Sequence, residues 1–179
     1  LEPVQWPVPA YQPRGTARLF GDGNFFGPGH RAQMRPLAAP KLAAEADEAF
    51  PLLLNTGRVR DHWHTMTRTG LSPRLSAHIA EPSVYLHSSE ITRFGLVEGG
   101  FARLASAQGG AVLKVVADDG VSPGDLFAPI HWSDETASAA RIGALTQPLC
   151  DPFSGQPEMK ATPVAIAPVT YRFEGFVLS

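Results

Sequence analysis

Short apolar runs separated by tight polar turns dominate the chain from residue 50 onward. Phe50 to Leu54 is an apolar run that predicts a buried strand, ended by Thr56-Gly57. Ser83-Val84-Tyr85-Leu86-His87 alternates with a period of two and predicts a second strand. Ser88 to Gly95 predicts a short helix, with a serine N-cap, an acidic first turn at Glu90 and a glycine at its C-terminal end. Phe101–Ser106 and Ala111–Ala117 predict two strands of a hairpin turned by Gln108-Gly109-Gly110. A turn at Asp118-Asp119-Gly120 precedes a further strand over Leu126–Ile130, which ends at His131-Trp132. Val164–Ala167 predicts a short core strand, kept short by Pro163 and Pro168.

Upstream, the pattern is weaker. Residues 1 to 40 are rich in Pro and Gly, and Pro3, Pro7, Pro9 and Pro13 forbid a helix there. Arg18-Leu19-Phe20 predicts a short edge strand before a turn at Gly21-Asp22-Gly23-Asn24. Ala38–Ala49 has marginal helix propensity, and Ser72–Ser76 predicts one helical turn. The expected organisation is an extended arm over 1–45, packing on something else, and a domain over 46–179. That domain is expected to be mainly β, a compact barrel with a few short helices.

Composition narrows this picture. With 179 residues the chain is long enough for one domain with a sizeable core and an extension. Gly and Pro number 17 each, ordinary for a β domain full of turns. The net charge of -2 gives no global basic field for nucleic acid. Cys150 is the single cysteine, which excludes an internal disulfide, a paired-cysteine metal site and an all-cysteine iron–sulfur cluster within this chain. No run of 18 apolar residues offers a membrane-spanning helix. The start, Leu1-Glu2-Pro3-Val4-Gln5-Trp6-Pro7, is neither an initiator Met nor a signal peptide, so the chain is expected to be a piece of a longer protein.

The densest chemistry lies between Asn55 and Gly70, which holds three Arg, two His, four Thr, one Trp and one Asp. Guanidinium groups set close together repel one another unless anions lie among them. Thr hydroxyls and the amides beside Gly57 add neutral donors, and Trp63 with the imidazoles offers flat faces for a ring. Planar rings plus phosphates describe a nucleotide-like cofactor. A solvated connection between strands is the plain alternative, and the Arg count and Trp63 weigh against it. On an extended strand His62 and His64 would face the same way, but Asp61 would point oppositely and no Cys lies near, so a metal site is disfavoured.

A second cluster, Asp151-Pro152-Phe153-Ser154-Gly155-Gln156-Pro157-Glu158-Met159-Lys160, forms an irregular loop with one amide, carboxylates and a terminal Lys. By composition alone it is a connecting loop; beside the Arg-rich loop it is a candidate second wall of one pocket, with Lys160 a point charge for phosphate. His131-Trp132 is either a third wall or an aromatic cap on the core.

Leu54-Asn55-Thr56-Gly57-Arg58 followed by Asp61-His62-Trp63-His64-Thr65-Met66-Thr67-Arg68, and later Asp151-Pro152-Phe153-Ser154-Gly155-Gln156-Pro157-Glu158 with Lys160, resembles the C-terminal molybdopterin dinucleotide-binding domain of the molybdopterin oxidoreductases. The Gly-rich stretch 95–100 fits the same pattern. Within that family, His-Trp-His-Thr, His131-Trp132 and the Ser-Gly-Gln-Pro-Glu variant resemble the catalytic subunit of bacterial assimilatory nitrate reductases, and the arm (Pro3–Pro7, Arg18–Gly23) is similar to the segment before the domain in those enzymes.

The resemblance implies a double-psi β-barrel of the aspartate decarboxylase-like kind. It implies molybdopterin guanine dinucleotide, in the bis form with molybdenum, held by Thr56, Gly57, Arg58, His62, Trp63, His64, Thr65, Arg68, Trp132, Gln156 and Lys160. No residue of this chain is assigned a catalytic or metal-ligating role. It also implies an iron–sulfur cluster in the missing part of the protein, the remaining domains of the same catalytic subunit and an electron-donor protein or reductase subunit as partners, and nitrate as substrate. The same resemblance leads us to expect no nucleic acid or membrane among the partners, a cytoplasmic location, and no activity in the fragment alone. The family often has Asn where Gly143 stands, so a side-chain amide contact to the cofactor is absent here. Two other readings remain open: the same domain of a formate dehydrogenase or periplasmic nitrate reductase, or a non-enzymatic barrel acting as a protein-binding module.

Overall fold

The structure is a computed structural model that describes residues 2–39 and 41–175. The chain separates between Lys41 and Leu42 into two compact units. Among its described residues the smaller unit carries no strand: Gln5 and Gly15 make an isolated bridge, and Phe20 stacks on Phe25 at 4.8 Å. The edge strand expected at Arg18–Phe20 is a turn instead, with Phe20 at φ +56° and Gly21 N–H donating to the Arg18 carbonyl.

The larger unit is a closed barrel of six strands: β1 (Leu52–Gly57), β2 (Ser83–Leu86), β3 (Phe101–Ala105), β4 (Gly110–Ala117), β5 (Asp125–Pro129) and β6 (Thr162–Pro168). Around the barrel they run β1-β5-β2-β4-β3-β6. Two pairs are parallel, β1 with β5 and β2 with β4, and the other four seams are antiparallel. Closure removes free sheet edges. This mainly β, closed, mixed barrel is a double-psi β-barrel with two short α-helices, α1 (Pro73–Ser76) and α2 (Ser88–Arg93). Among the described residues no helix is long and apolar enough to cross a membrane.

The core follows from period two. Leu52, Leu54 and Thr56 of β1 point inward, as do Val84 and Leu86, Ala102 and Leu104, Leu113 and Val115, Leu126 and Ala128, and Val164 and Ile166 from the other strands. Each buried Val, Leu or Ile side chain contributes about 1.5–3 kcal/mol. Ile142 and Leu145, around a single 3-10 turn, complete the core.

Four further expectations need correction. First, β1 lies two to three residues later than the apolar run, because Asn55–Gly57 pair with Phe127–Pro129 of the parallel neighbour while Phe50 N–H is taken by the Asp47 carboxylate in a turn. Second, β6 contains both prolines instead of being bounded by them. Pro163 stands opposite Leu53 of β1 and Pro168 opposite Ala102 of β3, where β6 has a partner on one flank only, so the missing N–H is tolerated. Third, the N-cap of α2 is His87, whose Nδ1 accepts from Ser89 N–H at 3.1 Å; Ser88 is the first helical residue and donates to Asp119. The glycine expected at the end of α2, Gly95, does take the left-handed conformation at φ +62°. Fourth, the described residues of the Ala38–Ala49 segment form no helix, since so short a segment with no packed face does not offset nucleation; Pro40 lies outside the described residues.

Candidate functional site

Three segments meet at one end of the barrel. Because β1 and β5 are parallel, the chain leaves Gly57 and Pro129 side by side, and Ile130 N–H donates to the Gly57 carbonyl at 2.9 Å. The segment entering β6 runs back along the end of β1: Met159 carbonyl accepts from Thr56 N–H at 3.2 Å and from Thr56 Oγ1 at 2.7 Å. Lys160 Nζ donates to the Thr56 carbonyl in a short contact. Thr56 is therefore buried, and its hydroxyl staples one loop to the other instead of facing a ligand. Gly57 is required by packing: a Cβ there would stand 2.6 Å from the Phe127 ring.

Between these segments lies a cleft of about 880 Å³, within the range of small-molecule and cofactor sites. Thr56, Gly57 and Arg58 form one wall, Cys150, Asp151 and Gln156–Lys160 the other, with Ala43, Ile130 and Leu149 completing it. The two clusters singled out in the sequence thus face one another. The second wall builds itself. Asp151 Oδ1 accepts from Phe153 N–H, Ser154 N–H (2.7 Å) and Ser154 Oγ, Gly155 turns at φ +70°, and Cys150 bridges to Pro157. Those bonds, the Ser154 amide foremost, hold the Asp151 carboxyl below its ordinary value. Glu158 Oε1 accepts from the Lys160 and Ala161 amides. Both carboxylates of the lining are thereby committed to backbone donors. Arg58 and Lys160 remain as its charged donors, with the Gln156 amide beside them. That donor set suits an anion such as a pyrophosphate.

The rest of the His-Trp-His-Thr string lies outside the cleft lining. His62 is buried: its Nε2–H donates to the Ile79 carbonyl (3.1 Å) and its Nδ1 accepts from Thr69 Oγ1 (2.9 Å), so both ring nitrogens are engaged. Trp132 is also buried, edge-on to His62 at 5.6 Å, as a cap on the core. Trp63, His64, Thr65 and Arg68 are exposed. Trp63 is 48% exposed, with the Arg58 and Arg68 guanidinium carbons each 6.0 Å from its ring and His64 packed edge-on at 4.4 Å. Arg60 is neutralised by Asp61 at 2.9 Å, whereas Arg58 and Arg68 have no carboxylate partner among the described residues. Of the eleven candidates, Thr56, Gly57, Arg58, Gln156 and Lys160 line the cleft; Trp63, His64, Thr65 and Arg68 are exposed on the loop that continues from it; His62 and Trp132 are structural beneath that loop.

The loop is not extended. His64 (φ +46°) and Met66 (φ +61°) occupy the left-handed region, uncommon for such residues, and Met66 N–H donates to the Trp63 carbonyl at 2.9 Å. This turn buries His62 and exposes Trp63 and His64, so the two imidazoles do not share a face. Among the described residues no group of three or more His, Cys, Asp or Glu converges as metal ligands.

In the sequence His131 stands beside Trp132 as either a third wall or part of an aromatic cap on the core. It is completely buried, accepting from Val59 N–H at Nε2 (2.9 Å) and donating from Nδ1 to the His64 carbonyl (2.5 Å). Burial holds it below the ordinary histidine value; the bond to His64 opposes this, and His62, Arg58 and His64 reinforce it. Cys150, set aside in the sequence, lines the second wall; its bridge to Pro157 has no signature in the sequence.

Residues 52–163 match the family model described as "Molydopterin dinucleotide binding domain", which covers more than half of the chain. The chain belongs to this family. A nitrate reductase of Klebsiella oxytoca is 44% identical over 93% of this molybdopterin dinucleotide-binding chain and 19% of its own length. The assimilatory nitrate reductase catalytic subunit of Bacillus subtilis is 28% identical over 93% of the chain and 23% of its own length. The chain thus spans about a fifth of the length of the curated relatives it matches. Among solved structures, acetylene hydratase of Pelobacter acetylenicus superposes with a TM-score of 0.59 at 17% identity, covering 67% of this chain and 18% of that one, which is a likeness of fold. Gly143 has open space around its Cβ position, with nothing within 4 Å of an added Cβ.

Proposed function

We propose that this domain clamps molybdopterin guanine dinucleotide for a molybdenum nitrate reductase of the assimilatory kind, working in the cytoplasm. The observation that carries this reading is the pairing of Arg58 and Lys160 across one cleft in which both acidic neighbours are already bonded to backbone amides. In this reading Arg58 and Lys160 hold the phosphates, Gln156 reads a polar ring edge, and Trp63 with Arg68 supplies a stacking face beyond the cleft mouth. When bound, the cofactor supplies the two-electron chemistry that converts nitrate to nitrite. This chain's own part is to bind, orient and screen: Leu149, Ile130 and Met159 give the cleft apolar surface that strengthens charge pairing by excluding water. The 44% identity to a nitrate reductase supports nitrate over formate as substrate. The remaining domains of the catalytic subunit, an iron–sulfur cluster they would carry and an electron-donor protein complete the proposal, and the fragment alone is inactive toward nitrate.

Titration calorimetry of the chain with guanosine diphosphate tests the clamp. Saturable binding is expected, weakened about tenfold or more by Arg58→Ala, the usual loss for one charge-assisted contact. Binding that is unchanged in that variant, or absent from the wild-type chain, would overturn the assignment of the phosphates to this cleft. Nitrate turnover by the fragment with cofactor and an artificial donor would overturn its proposed inactivity.

A further inference from the structure

The loop that follows β1 must hold Arg58 and Trp63 beside the cleft, yet from Arg58 to His64 it belongs to no strand or helix. What fixes it is a side chain from the next segment of the barrel. His131, at the exit of β5, bonds the loop twice: Val59 N–H at its near end and the His64 carbonyl at its far end. The two bonds need different ring nitrogens in different states. Nε2 must be bare to accept, and Nδ1 must carry the proton to donate. Only one neutral tautomer does both. The imidazolium cannot accept from Val59, and the other tautomer satisfies neither partner.

We propose that His131, in its neutral Nδ1–H form, is the positioning residue of the cofactor loop, clasping Val59 and His64 so that Arg58 and Trp63 stand where a ligand meets them. That the loop binds the cofactor rests on the function proposed above; the clasp itself does not. His131 touches no cleft space, so it acts through the backbone it holds. The titratable and charged groups that face it are Arg58, His62 and His64, all on the clasped loop, and none is a carboxylate that would stabilise an imidazolium. His62, 5.2 Å away between ring centroids, has both nitrogens engaged with Thr69 and Ile79 and so offers the His131 ring no bond. The surroundings thus favour the neutral ring, and protonation releases the near end of the loop.

Nitrogen-15 NMR of the chain tests this directly. The imidazole signals of His131 should show a protonated Nδ1 and a bare Nε2. Val59 amide exchange should be slow relative to Arg60, and should speed up only as the pH falls below the ordinary histidine range, when normalised to the barrel amide of Val115. His131→Phe should speed Val59 exchange by about tenfold or more with Val115 unchanged. His131→Gln places an amide oxygen near the Nε2 position, so it should keep Val59 protected and abolish the pH dependence, which a merely space-filling residue would not do. A protonated Nε2, a Val59 amide still protected in the Phe variant, or the same pH profile in wild type and the Gln variant would each overturn the proposal. If the Phe variant loses Val115 protection as well, the wild-type tautomer and pH series decide. Failure of guanosine diphosphate to bind would sink the cofactor reading and leave these outcomes intact, so the two fail separately.

Discussion

Thr56 shows how one residue type serves two ends. In the sequence its hydroxyl is a donor waiting for a phosphate; in the fold it is turned inward and donates to the Met159 carbonyl, tying the first wall of the cleft to the second. Thr56→Val keeps the shape and removes that bond. The expected loss is about 1 kcal/mol of stability, read as a lower urea midpoint at unchanged slope, together with weaker guanosine diphosphate binding because the wall at Met159 loses its side-chain tie to β1. A variant that binds as well as wild type would show that the two walls are set independently. His62 makes the opposite case. Its ring nitrogens are already spent on Thr69 and Ile79, so His62→Leu should cost about 2–3 kcal/mol through two orphaned polar groups. Arg58→Ala, at an exposed site, should change stability by less than about 0.5 kcal/mol while weakening the ligand. Urea unfolding and calorimetry on the pair separate a support from a contact, and equal stability losses in both would refute the division.

At the scale of elements, the second wall is a loop organised by one carboxylate. Asp151 accepts three bonds from Phe153 and Ser154, and its carboxyl lies below the ordinary aspartate value because the ionised form is the one those donors favour. A depressed value means the contribution is fully present above the usual aspartate range near pH 4 and is lost as pH falls through the lowered value. The Ser154 amide proton should therefore keep its bonded chemical shift at neutral pH and move only in strong acid, and Asp151→Asn should move it at every pH. A Ser154 shift that titrates near the ordinary value would contradict the geometry. This loop was legible as a site from its residue types, and so were most strands, because period two and turn residues are local properties. Three of the misreadings share one cause. The cap of α2 fell to His87 because Asp119, thirty-one residues away, claims Ser88. β6 absorbed Pro163 and Pro168 because its neighbours leave one flank free at each. The turn at His64 and Met66, which decides that Trp63 faces out and His62 in, is held from outside by His131. Partners distant in sequence decided each of these, and no local pattern carries them.

For the whole molecule, the strand order is the least local property of all. Neighbours such as β1 and β5 are separated by most of the barrel's sequence, so periodicity suggests a β-barrel but not which strands touch; the double-psi topology was legible only through family resemblance. The same topology puts all six seams and every strand core residue between Leu52 and Pro168. The cleft too draws only on residues from Ala43 onward. A chain beginning at Leu42 should accordingly keep the closed barrel. Its far-UV circular dichroism should retain the strand signal, and its urea unfolding should stay cooperative, with a stability within about 0.5 kcal/mol of the 179-residue chain, as for changes away from a core. Guanosine diphosphate affinity should also persist, since neither wall of the cleft is removed. A broadened transition or a lost cooperative step would mean that residues before Leu42 supply part of the barrel's stability. Retained folding with lost binding would mean instead that they supply part of the site, and the phosphates would then have to be sought on a surface wider than the Arg58–Lys160 cleft.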